Sequence, residues 1–149
     1  MNRVRIAMRC LPIVAALAVP ALASASPAIA TRSDVFRESV RPAGQRRLEA
    51  AQTFARGDRV VTIVRWYRLG GKGGFTIVNP LPSGTAYQDS AREAQEVSVD
   101  GGRTWGQLDR LRIDGRDATA EDVTHVRWRI PASIAERGSG RIAYSAVVR

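Results

Sequence analysis

Strict alternation of apolar and polar side chains near the C-terminal end constrains this chain more than any other feature. In Thr124 to Ile130, Val126, Trp128 and Ile130 fall on one side, while His125, Arg127 and Arg129 fall on the other. In Arg141 to Val148, Ile142, Tyr144, Ala146 and Val148 alternate with smaller or polar residues. A period of two is the signature of strands with one buried face. Similar material recurs upstream. Arg59 to Tyr67 is a long β-branched and aromatic run, and Gly74 to Asn79 supplies Phe75 and Ile77. Glu96 to Asp100 supplies Val97 and Val99, Leu111 and Ile113 flank Arg112, and a further strand is expected through Arg47 to Phe54. Turn formers separate these runs: Arg56-Gly57-Asp58, the glycine-rich stretch 70–74, Asn79-Pro80 to Gly84, Asp100-Gly101-Gly102, Asp114-Gly115 and Gly138-Ser139-Gly140. The pattern predicts an all-β fold, an antiparallel immunoglobulin-like β-sandwich of about seven strands with Greek-key connections. Trp66 and Trp128 are the expected core anchors. Helix is expected only as short pieces near 90–96 and 119–123.

The first thirty residues read differently. Arg3, Arg5 and Arg9 precede an uncharged, mostly apolar stretch from Cys10 to Ala23, the layout of a secretory signal peptide. Two small-x-small cleavage sites follow, one ending at Ala25 and one at Ala30, and the second is preferred on sequence alone. The expected organisation is a signal peptide at 1–30, an N-terminal extension at 31–45 and a sandwich domain at 46–149. Pro12, Pro20 and Pro27 in the uncharged stretch from Cys10 to Thr31 disfavour a retained membrane anchor, and Arg149 follows the last strand directly, so no C-terminal anchor is expected.

Processing removes Cys10, the only cysteine, and three arginines, leaving 20 basic and 14 acidic residues and a formal charge of +6. A cysteine-free exported domain must be held by its core alone, which points to the bacterial periplasm or cell surface. The 119 to 124 residues that remain suffice for one domain.

Three stretches in order, 79–87, 98–105 and 122–128, resemble the bacterial "conserved repeat" domain, domain-of-unknown-function family eleven. Upstream, Ala55-Arg56-Gly57-Asp58-Arg59-Val60-Val61 is similar to that family's Pro-Gly-Asp turn, with Arg56 where proline is usual. The resemblance covers about 46–149 and implies an exported, immunoglobulin-like module with no established chemistry. Ser98-Val99-Asp100-Gly101-Gly102-Arg103-Thr104-Trp105 also resembles the Asp-box of sialidase-like propellers. One copy does not make a propeller, so it reads as a local hairpin with the tryptophan packed beneath the turn.

Chemistry-bearing motifs are few. His125, the only histidine, falls on an outward strand face, and no nucleophile elbow, phosphate-binding loop or dinucleotide fingerprint is present. No catalytic residue, cofactor or metal ligand is assigned. The remaining hint is charge: Arg110, Arg112, Arg127 and Arg129 form a candidate anion-binding face if their strands pair, offset by Glu96, Asp100 and Asp109. The expected function is that of a non-enzymatic structural or interaction module of the bacterial envelope, binding a protein or an anionic polysaccharide. Nucleic acid is not expected, because the aromatics are committed to the core. Two alternatives stand beside it. One is a small envelope carbohydrate hydrolase using a carboxylate pair. The other is a calcium-dependent adhesion module using Asp114, Asp117 and Asp122, with Glu121 nearby.

Overall fold

A computed structural model describes residues 27–42, 44–90 and 95–149. The leader reading falls almost wholly on residues outside this range. Ten strands form three antiparallel sheets among the described residues. The larger sheet orders β2 (Arg46–Ala50), β1 (Ala28–Val40), β3 (Arg59–Gly70), β10 (Ser139–Val148) and β5 (Thr85–Ser90). The smaller orders β4 (Phe75–Pro80), β9 (His125–Ile130) and β6 (Gln95–Ser98), and a two-stranded ribbon joins β7 (Arg112–Ile113) to β8 (Arg116–Asp117). Among the described residues helix is confined to α1, one turn at Ala132–Ala135, and a 3₁₀ turn at Leu108–Arg110. No helix of the described residues is long and apolar enough to cross a membrane.

The two larger sheets pack face to face because each turns one apolar row inward. Val64, Trp66, Ile142 and Tyr144 come from the five-stranded sheet; Ile77, Val97, Val126, Trp128 and Ile130 come from the three-stranded one. Trp66 and Trp128, the expected anchors, are both 1% exposed. Each has an aromatic neighbour on the opposite sheet. Trp66 meets Phe75 edge to face at 5.1 Å, and Trp128 meets Tyr144 at 5.8 Å. The Tyr144 hydroxyl accepts a hydrogen bond from Asn79 Nδ2 at 2.7 Å, so a polar tip buried between sheets is satisfied.

Chain crossings close the ends. At one end Arg68 donates from Nε to the Ala135 carbonyl at 3.1 Å and from its terminal nitrogens to the Gly71 and Gly73 carbonyls. One guanidinium thereby ties the β3–β4 crossing to the β9–β10 crossing. One flank is closed by 107–120, which leaves β6 through Gln107 Nε2 to the Gln95 carbonyl at 2.9 Å. The segment reaches β5 through Tyr87 N to the Ala120 carbonyl at 3.0 Å. Leu108, Leu111, Ile113 and Ala118 along it pack on the core.

The described chain differs from the sequence reading at its start. The stretch 31–45, read as an extension, carries most of β1, which pairs with β3 from Glu38 opposite Arg59 to Ala28 opposite Gly70. The strand expected over Arg47 to Phe54 is the shorter β2, paired with β1 from Val40↔Arg46 to Phe36↔Ala50. The count rises from about seven to ten because β1, β5 and β8 show no apolar alternation in the sequence, whereas β7 falls where Leu111 and Ile113 flank Arg112. The outward face of the five-stranded sheet carries half-buried Phe36, Val61 and Ile63 between two acid–base rows, Glu38 with Arg59 and Asp34 with Arg65.

Candidate functional site

Strand β9 places His125, Arg127 and Arg129 on the outward face of the three-stranded sheet, because Val126, Trp128 and Ile130 take the core. Opposite residues of an antiparallel pair share a face, so Glu96 lies beside Arg127, and Thr76 and Val78 of β4 lie on its other side. The Glu96 carboxylate accepts from Arg127 at 2.7 Å and from Arg129 at 3.1 Å. Burial pushes this carboxyl up, and the two guanidiniums outweigh that push, leaving it below the usual carboxylate value. Two cations therefore share one anion.

The loop after β6 folds back over the same face. Val97 and Gly106 exchange backbone hydrogen bonds, at 2.8 and 3.1 Å, which sets the loop's base. Inside it Asp100 is the hub. Its carboxylate accepts from Thr104 N at 2.9 Å, Thr104 Oγ1 at 2.7 Å, Ser98 Oγ at 2.8 Å and Arg103 N at 3.0 Å. These bonds, the Thr104 amide first, hold its carboxyl far below the normal range. Gly101 and Gly102 adopt φ of 77° and 90°, which a side chain would resist. Trp105 donates from Nε1 to the Gly102 carbonyl at 2.9 Å, as expected for a ring packed under the turn.

Trp105 does more than close its own hairpin. The Arg127 guanidinium lies over its ring at 4.4 Å from the centroid, and the His125 ring meets it edge to face at 6.4 Å. His125 is consequently half-buried, with Nδ1 3.0 Å from Thr124 Oγ1, rather than freely solvated. The sequence pattern marks Trp105 only as a turn-packing residue. Its contact with β9 depends on the direction in which the loop folds, and local spacing carries no signal for that.

The four candidate arginines separate into two groups. Arg127 and Arg129 are neighbours on β9, the first with its side chain 18% exposed and the second 68% exposed. Arg110 lies in the 3₁₀ turn and Arg112 on β7, which pairs with β8 and not with β9. Arg112 is occupied locally, donating to the Gly115 carbonyl at 2.8 Å and facing Asp117 at 3.5 Å. The strands that would align all four do not pair, so no single stripe of four arginines forms.

Among the loop acids, Asp122 is the most firmly held. Asp122 accepts from Arg116 at 2.6 and 2.7 Å and from Thr119 N and Oγ1 at 2.8 and 2.9 Å. Arg116 is the largest cause of a carboxyl held far below its ordinary value. Asp114 occupies the β7–β8 turn at φ 49°, and Glu121 faces Arg149 at 3.5 Å. Among the described residues no three His, Cys, Asp or Glu side chains gather as a metal site would require. A shallow cleft of about 340 Å³ runs between Pro80, Gly84, Thr124, His125 and Arg149 at one end of the sandwich. Comparison with family models, curated proteins and solved structures finds no match for the chain.

Proposed function

We propose that this chain is an exported, non-enzymatic interaction module of the bacterial cell envelope, immunoglobulin-like with Greek-key connections and similar to the conserved repeat domain. The leader-like N-terminus and the cysteine-free remainder support the export reading. Its working surface is the outward face of the three-stranded sheet, and its partner is an anionic envelope glycan. One observation carries this: Arg127 and Arg129 share the single Glu96 carboxylate, so on the strands themselves two cations face one acid beside the Trp105 ring. An indole with a cation on it and a second, open cation beside it suits a sugar ring bearing carboxylate or phosphate. Hydrogen bonds accepted by Asp100 and Glu96 hold that surface in place, which is a positioning role and requires no chemistry.

Binding to purified lipopolysaccharide and to an acidic polysaccharide, at low and at high salt, tests the reading. The expected result is retention at low salt that disappears at high salt. Arg129→Ser should weaken it roughly 2- to 5-fold, the scale of one exposed charge pair, while Arg110→Ser with Arg112→Ser leaves it unchanged. Retention indifferent to Arg129→Ser, or binding that survives high salt, would overturn this surface as the function.

A further inference from the structure

From the position of β1 we infer that the leader is cut after Ala25, so that the working protein begins at Ser26. This rests on the export reading above. Two small-x-small sites compete, and sequence alone prefers the one ending at Ala30 over the one ending at Ala25. They differ in what they leave of the fold. Strand β1 begins at Ala28, and Ala28, Ile29 and Ala30 pair with Gly70, Arg68 and Tyr67 of β3. Ile29 also packs against the core cluster that contains Trp66 and Ile142.

A cut after Ala30 removes all three ladder positions and the Ile29 side chain. Thr31, opposite Trp66 in the ladder, would then be the first residue of the strand. Lost burial and lost ladder bonds both act against the folded state. A cut after Ala25 costs none of this, because only Ser26 and Pro27 then precede the strand. The Ala25–Ser26 bond itself lies outside the described residues, and β1 begins downstream of it at Ala28.

Expression of the full chain with its own leader in a Gram-negative host tests this, with intact-mass measurement of the protein recovered from the periplasm. The expected mass is that of 26–149. Ala25→Phe should leave precursor or move the cut downstream. Ala28→Gln, at an exposed position where the fold tolerates it, spoils the second site and should leave the wild-type cut unchanged. A periplasmic product beginning at Thr31, or processing stopped by Ala28→Gln instead of Ala25→Phe, overturns the cut position and leaves export standing. Unprocessed protein confined to the cytoplasm overturns the export reading and this inference together.

Discussion

One close approach in the sandwich is that of a glycine to a tryptophan. Gly140 stands opposite Trp66 in the β10–β3 ladder, and the indole lies across the space a side chain would fill. A Cβ there would come within 2.5 Å of Trp66 Cζ2 and 2.8 Å of Nε1. Trp66 is almost fully buried and meets Phe75 edge to face, so its ring cannot swing away without opening the core. Gly140→Ala should therefore destabilise the fold by about 1–3 kcal/mol, the usual scale of overpacking, read from urea denaturation. An unchanged midpoint would mean that the indole is free to move. Tyr144 offers a gentler case. Removing its hydroxyl as Tyr144→Phe leaves Asn79 Nδ2 with only the Pro80 carbonyl and should cost about 1 kcal/mol by the same measurement.

At the scale of elements, what was legible in the sequence follows from which strands have two unlike faces. In β9 an apolar core lies on one side and solvent on the other, so the alternation announces both the strand and the direction of Arg127 and Arg129. In β1 it does not. Thr31, Ser33, Val35 and Arg37 point to the same side as the core row of β3, yet the three-stranded sheet does not extend over them, and Val35 remains 37% exposed. With neither face apolar, no period appears, and a strand paired along its whole length reads as an extension. The separation of the four arginines into two groups was not legible for a related reason. Their alignment required β7 to pair with β9, a non-local register that spacing does not encode, whereas the Asp100 hairpin was legible because its bonds are local. That hairpin yields a test. Asp100→Ala removes the acceptor for the Arg103 and Thr104 amides, so exchange at those amides should quicken. Release of Trp105 from Arg127 and His125 should also change its fluorescence, while the core tryptophans keep theirs. Unaltered exchange at both amides would show that the glycine turn holds the loop without its carboxylate.

Across the whole molecule, the two loops that cap the three-stranded sheet and the closing flank are both pinned by carboxylates whose charged form the fold favours. Asp100 is held by Thr104, Ser98 and Arg103, and Asp122 by Arg116 and Thr119; both sit far below the ordinary carboxylate value. A carboxyl depressed in the folded state binds its proton more readily when unfolded. It therefore contributes stability that is complete above the unfolded value, near pH 4, and is lost as pH falls through the folded one. Glu96, depressed by Arg127 and Arg129, acts in the same sense. The net positive charge grows as acids are neutralised, and self-repulsion adds to the loss at the acid end. Melting temperature measured from pH 7 down to pH 2 should hold to about pH 4 and then fall. A variant carrying Asp100→Asn and Asp122→Asn should melt lower at neutral pH and lose less on acidification, so that the two curves converge. Parallel curves would show that acid acts only through the overall charge, and that these two loops are held by their backbone turns alone.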